Sequence, residues 1–198
     1  WGPIEDALKS SKSKISIVKK NIKTHNIQIK LSVVDSDNKF KDYSFNIDDE
    51  KYFYPASTVK LPIVLLALEK LNQYDNISVK TPFKLEDDTL STTMEEEIYK
   101  IFTISDNQAN NRLFEFLGQD YFNQRMWDLG YSETRVRHRL SIPLTAEQNR
   151  HTNSFSFYID GKKMLDQPMH FSTLPLTVNS TYNLIGKSYL RSGELINI

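Results

Sequence analysis

Ser57 and Lys60 lie three residues apart in the run Tyr54-Pro55-Ala56-Ser57-Thr58-Val59-Lys60-Leu61-Pro62, which passes from a polar segment into a nearly all-apolar stretch. At a helix start that spacing sets a hydroxyl and an amine on one face, within reach of each other. Serine is a poor nucleophile until a neighbouring base takes its proton. A lysine desolvated against apolar walls can be neutral enough to do so. The pair therefore has the types and spacing of an activated nucleophile. A plain N-cap is the competing reading of Ser57, because a serine oxygen satisfies the first free amides of a helix equally well.

Spacing alone does not single out this pair, since Ser11/Lys14, Ser16/Lys19 and Ser36/Lys39 share it. Ser11 and Ser16 lie in a lysine-rich amphipathic segment that reads as a solvated helix face. Ser36 lies in Asp35-Ser36-Asp37-Asn38, a turn between two strand-like runs. Only Ser57 precedes an apolar helix, Leu61 to Leu71, able to dry out a lysine. A second polar group, Ser105-Asp106-Asn107, follows the helix-like run Glu97 to Ile104 and precedes Gln108 to Leu113. On a connection between two helices its short side chains can project into a cleft. Ser105 supplies a second hydroxyl to pass a proton to a leaving group, and Asn107 an amide to hold the acyl side of a substrate. Asp106 would face back to fix the loop. A Ser-Asp cap on the next helix is the plainer alternative.

Taken in order, these segments resemble the class A β-lactamase and penicillin-binding protein superfamily. Tyr54 to Lys60 is similar to its Ser-x-x-Lys nucleophile segment, and Thr92 to Leu113 to the stretch carrying its Ser-Asp-Asn loop. The resemblance runs from about Ile27 to about Gly130, half the chain. It implies an α+β, transpeptidase-like fold and a serine hydrolase that forms an acyl-enzyme with β-lactams or D-alanyl-D-alanine-type peptides. Ser57 would be the nucleophile, Lys60 its base or relay, Ser105 the proton shuttle and Asn107 a substrate contact. The Ser57 amide would be the first oxyanion donor. No cofactor is implied. By the same resemblance the substrate would be a small molecule or derive from peptidoglycan, and the place of work would be outside the bacterial cytoplasm, in the periplasm or on a cell-surface lipoprotein.

Two departures qualify the resemblance. Thr134-Arg135-Val136-Arg137-His138-Arg139-Leu140 resembles the approach to the loop whose glutamate hydrolyses the acyl-enzyme in class A β-lactamases, yet in register Leu140 stands at the glutamate's place. Glu147, seven positions on, is the nearest substitute, or else a solvated loop carboxylate. Without that base the acyl-enzyme would turn over slowly, and a binding or sensor domain becomes the alternative. The third family motif, a Lys/His-Thr/Ser-Gly triplet, has Arg191-Ser192-Gly193 as its one candidate, and Gly193 also suits a turn. With Ile198 five residues later, the C-terminal sheet strands are expected to be missing from a single domain spanning residues 1–198.

The remaining sequence bounds the answer. Lys plus Arg equals Asp plus Glu at 25 each, giving no support for a nucleic-acid or membrane-surface partner. Cysteine is absent, so disulfide, thiol and Cys-based zinc chemistry are excluded. His25, His138, His151 and His170 lack metal-ligand spacing, and no metal is expected. No run approaches the roughly 20 apolar residues of a membrane helix. The start at Trp1 rather than methionine suggests that an upstream segment was removed or left out, and a missing signal or lipoprotein leader would fit the resemblance.

The elements that must position the motifs read as follows. Ile4, Leu8, Ile15, Val18 and Ile22 predict one N-terminal amphipathic helix, and Ile27 to Val33 a half-buried strand with a hairpin partner over Phe40 to Phe45. The helix after Ser57 is apolar all round and should be central to the core. Gly118 and Gly130 should end two further helices. Asp160-Gly161 predicts a tight hairpin over 154–165, read as an insertion that either shapes the cleft or decorates the surface. Arg135, Arg137, Arg139 and Arg150 form a basic cluster, for a substrate carboxylate or for salt bridges that fasten a loop.

Overall fold

Asp35 sets the first hairpin: its Oδ1 accepts from the Asp37 and Lys39 amides at 2.9 Å each, while Asn38 adopts φ 59°. In the computed structural model, which describes residues 2–48, 52–53, 55–86, 88–176 and 190–191, this turn joins β1 (Ile29–Val34) to β2 (Phe40–Phe45) in antiparallel register from Ile29↔Phe45 to Val34↔Phe40. Preceding them are α1 (Pro3–Lys9) and α2 (Ser13–Asn21), and following them β3 (Tyr52–Phe53). These elements belong to a compact unit made of Trp1–Phe53 and Arg191–Ile198.

Two expectations are corrected in this unit. The single N-terminal helix is broken, because Ser10 turns extended (ψ 139°) and its Oγ accepts from the Lys12 amide at 3.3 Å, a local bond that competes with helix continuation. The hairpin alternates in sequence without gaining a buried face. Leu31, Val33 and Val34 are exposed, and Phe40 across from them is 73% exposed. Among the described residues of this unit, only α1 contributes buried apolar side chains, Ile4 and Leu8.

The second unit, Tyr54–Leu190, holds the main core. A 3₁₀ turn, Ala56–Val59, leads into α3 (Lys60–Leu71). Then come β4 (Pro82–Leu85), β5 (Thr92–Thr93), α4 (Met94–Ile104), α5 (Asn107–Leu117) and α6 (Gln119–Asp128). After a 3₁₀ turn at Gln148–Arg150, the order is β6 (His151–Thr152), β7 (Phe155–Ile159), β8 (Lys162–Gln167) and β9 (His170–Phe171); β10 (Leu190–Arg191) follows in chain order, with Leu190 the last residue of this unit and Arg191 belonging to the first. α3 buries Ile63, Val64, Leu66, Ala67 and Leu71, but Leu61 and Leu65, one turn apart, are exposed, so it is not buried all round. Gly118 (φ 73°) and Gly130 (φ 95°) stop α5 and α6 as expected, at backbone angles that a Cβ disfavours. Ser192 and Gly193 lie outside the described residues.

The 154–165 hairpin is present, with its turn at Asp160-Gly161, and it is no surface decoration. β7 pairs with β4 and β8 in an antiparallel sheet of order β5-β4-β7-β8. Its inner face carries Phe83, Leu85, Phe155 and Phe157. The Phe83 and Phe155 rings stack at 4.4 Å, and Phe116 of α5 meets Phe157 edge-on at 5.6 Å. Lys70 ties α3 to this assembly. Its ammonium donates to Phe116 O and to Gln167 Oε1 at 2.8 Å, over the rings of Phe116 and Tyr121.

Phe155→Ala removes a fully buried ring from the centre of this cluster and should cost about 3–5 kcal/mol, read from urea unfolding. Burial pushes Lys70 down to about 8, so between about 8 and the ordinary lysine value the unfolded chain binds more protons than the folded one. Stability from Lys70 therefore rises with pH across that window. Lys70→Met should remove this rise, seen as a smaller gain in unfolding midpoint from pH 7.5 to pH 10 than in the wild type.

Candidate active site

Lys60 opens α3 with its side chain turned inward, 3% exposed. An amine withdrawn from water needs hydrogen-bond partners. Here, among the described residues, they come from the two-residue connection between α4 and α5 and the first residue of α5. Lys60 Nζ lies 2.5 Å from Ser105 O, 2.9 Å from Ser105 Oγ and 2.7 Å from Asn107 Oδ1. Ser105 reaches this position because it caps α4 in the left-handed region (φ 56°), with the Asp106 amide returning to Lys100 O at 3.3 Å. Asp106 then caps α5, accepting from the Ala109 amide at 2.8 Å, which is the fixing role read from the sequence. Burial lowers the Lys60 pKa, and the negative charge of Asp106 opposes that shift.

Ser57 sits inside the 3₁₀ turn and is exposed. Neither that turn nor α3 has a side-chain cap bond at its start, so Ser57 is not an N-cap. The Lys60 amine points to Ser105 and Asn107, and among the described residues no side-chain hydrogen bond joins it to Ser57. The preceding residue, Ala56, is left-handed (φ 47°).

That strain is part of a pattern. Asn26, Asn38, Asn46 and Asp160 also have positive φ, as residue types that tolerate it. The other non-glycine residues with positive φ among those described are Ala56, Ser105 and Ser141, and all three lie in or against this site. Such conformations cost of order 1–3 kcal/mol each and persist where the surroundings over-determine them.

Three interactions hold the connection in place. Glu97 of α4, fully buried, takes Thr92 Oγ1 (2.8 Å), Lys100 Nζ (2.7 Å) and Arg112 Nη1 of α5 (3.0 Å), clasping the two helices. Asn111 of α5 grips the backbone of Leu140, accepting from its amide at 2.8 Å and donating to its carbonyl at 2.9 Å. Asn107 Nδ2 donates to Ser141 Oγ at 2.7 Å.

Leu140, in register with the expected glutamate, packs its side chain against the hydrophobic core. Glu147 is exposed beside the Gln148–Arg150 turn and joins none of the Lys60 hydrogen bonds. Lys60, Ser105 and Asn107 are thus brought together, with Ser57 one turn away and Glu147 apart. Arg139 is committed to Glu115 at 2.5 Å, Arg150 to the carbonyls of Ser172 and Leu174, and Arg135 lies over Trp127, so these three arginines fasten the loop. Sequence reasoning missed Glu97, Asn111 and Ser141. The first two look like ordinary surface residues of a helix, and nothing local marks Ser141.

A buried lysine under a Ser-Asp-Asn connection, with a serine three residues before it in an α+β framework, is the arrangement of the serine β-lactamase-like proteins. The chain belongs to the β-lactamase enzyme family, whose model matches residues 11–166. Among solved structures it is similar to a β-lactamase from Sphaerobacter thermophilus DSM 20745, at 20% identity and a TM-score of 0.47. That alignment covers 65% of this chain and 53% of the other, so the chain matches about half the length of that protein. No curated protein matches. Among the described residues no group of side chains has the make-up of a metal site, and no helix is long and apolar enough to cross a membrane.

Asp106→Asn keeps a good N-cap while deleting the charge that raises the Lys60 pKa. Lys60 should then titrate at lower pH than in the wild type, measured from its ¹³Cε shift in lysine-labelled protein. An unmoved midpoint would show that the Asp106 charge does not reach the amine.

Proposed function

We propose that this chain is an acyl-transfer serine hydrolase whose nucleophile is Ser57, acting on β-lactams or D-alanyl-D-alanine-type peptides outside the bacterial cytoplasm. The observation that carries the reading is the buried Lys60 amine between Ser105 and Asn107. Lys60 Nζ donates to Ser105 O, Ser105 Oγ and Asn107 Oδ1, so amine and shuttle already share a hydrogen bond; the neutral amine keeps two of these bonds and has its lone pair free to take a proton.

Rotation of the exposed Ser57 hydroxyl towards Lys60 completes the set, since catalytic hydrogen bonds often tighten only when substrate is bound. Ser57 Oγ attacks the substrate carbonyl and its proton passes to Lys60. The tetrahedral oxyanion is met by the Ser57 amide. As the C–N bond breaks, Ser105 gives its proton to the departing nitrogen and recovers one from Lys60, leaving the amine neutral and Ser57 acylated.

A second reading is supported by Leu140. With an apolar side chain in that place and Glu147 outside the Lys60 hydrogen bonds, no carboxylate joins those bonds among the described residues, which favours a slowly deacylating penicillin-binding or sensor domain.

Intact-mass spectrometry after incubation with a fluorescent penicillin tests both. A lasting adduct that maps to Ser57 and disappears in Ser57→Ala supports acylation with slow release. Drug consumed without an adduct in the wild type, and not in Ser57→Ala, supports hydrolysis. Neither adduct nor consumption overturns the proposal.

A further inference from the structure

Asn107 has two ends, and the site uses both. Its Oδ1 accepts from Lys60 at 2.7 Å and its Nδ2 donates to Ser141 Oγ at 2.7 Å. An amide anchored at one end only is free to turn over and present its NH₂ group to the amine, where two donors would face each other. The Ser141 oxygen supplies the second anchor. Its own position is closely specified. Leu140, immediately before it, is held by Asn111 through both backbone groups, and Ser141 then takes a left-handed turn (φ 56°) that a serine adopts at a cost. That turn aims an exposed hydroxyl at Asn107 while the Leu140 side chain goes to the core.

We propose that Ser141 is a positioning residue: by accepting from Asn107 Nδ2 it keeps Oδ1 on Lys60 and so sets the balance between charged and neutral amine. The inference rests on the acyl-transfer reading for its purpose, but the coupling from Ser141 to Lys60 is measurable without turnover. An oxygen facing the amine favours the charged form, whereas an NH₂ group favours the neutral one. Loss of the Ser141 hydroxyl therefore lowers the Lys60 pKa. Asp106, the charged group that acts on Lys60, is unchanged by substitution at 141.

The test compares Lys60 ¹³Cε titrations in the wild type, Ser141→Ala, Ser141→Gly and Ser141→Asn. Alanine and glycine both remove the hydroxyl, but glycine suits the left-handed backbone and guards against misfolding of the alanine variant. Both should lower the Lys60 midpoint, by on the order of one unit if a hydrogen bond to a charged group is lost. Asparagine tolerates the backbone angle and keeps an acceptor, and should restore the midpoint. No shift in either alanine or glycine overturns the proposal, as does a shift in alanine alone, which would assign the effect to the backbone. Penicillin adducts followed in the same four proteins keep the two ideas separate. A wild type that never acylates sinks the hydrolase reading, while the Lys60 midpoints still decide the role of Ser141.

Discussion

The burial of one amine constrains the whole site. A charged ammonium taken out of water without partners costs several kcal/mol, so Lys60 at the base of α3 is tolerable only where acceptors converge on it. Among the described residues they come from one place, the junction of α4 and α5. To deliver both the Ser105 carbonyl and hydroxyl, that junction must be two residues long and left-handed at Ser105. To hold a strained junction still, the helices on either side must not slide, and the buried Glu97 joined to Arg112 meets that need. The Lys60 contacts, the left-handed serine and the buried carboxylate are one requirement seen at three distances.

The same logic extends to the irregular segment beyond α6. A loop packed against a core has backbone groups that need partners. Here side-chain amides provide them. Asn123 takes the Val136 amide and carbonyl at 2.8 Å each, Gln119 Nε2 reaches the carbonyls of Arg137 and Asn149, and Asn149 Oδ1 accepts from the Arg139 amide. Asn111 continues the series at Leu140. These amides do for the loop what a neighbouring strand does in a sheet, and they place Ser141 against Asn107.

What was legible in the sequence follows from how local each signal is. Ser57, Lys60 and the Ser105-Asp106-Asn107 group could be read because each stands at a change from polar to apolar pattern. Gly118, Gly130 and Asp160-Gly161 could be read because positive φ favours few residue types. The break between α1 and α2 was hidden because apolar spacing from Leu8 to Ile15 keeps helical phase across it. The exposed β1–β2 hairpin misled because alternation marks two faces without saying that either is covered. Glu97, Asn111, Gln119 and Asn123 were invisible for a third reason: a polar residue on an amphipathic helix looks solvated until its long-range partner is known.

Leu140 shows how such a site can change its chemistry without changing its shape. Asn111 recognises the backbone of residue 140, not its side chain, so the loop keeps its course whichever residue stands there. A carboxylate at that place could turn to the site and draw a proton from water. A leucine gains more by joining the core, where it packs here. On the acyl-transfer proposal, the step exposed to this exchange would be hydrolysis of the acyl group, because the hydrogen bonds among Lys60, Ser105 and Asn107 do not involve that side chain. In the proposed mechanism, attack by Ser57 and release from it would therefore depend on different parts of the fold: the first on the α4–α5 junction, the second on what residue 140 presents. Separated in this way, the two proposed steps would let one framework serve a fast hydrolase or a slow binder.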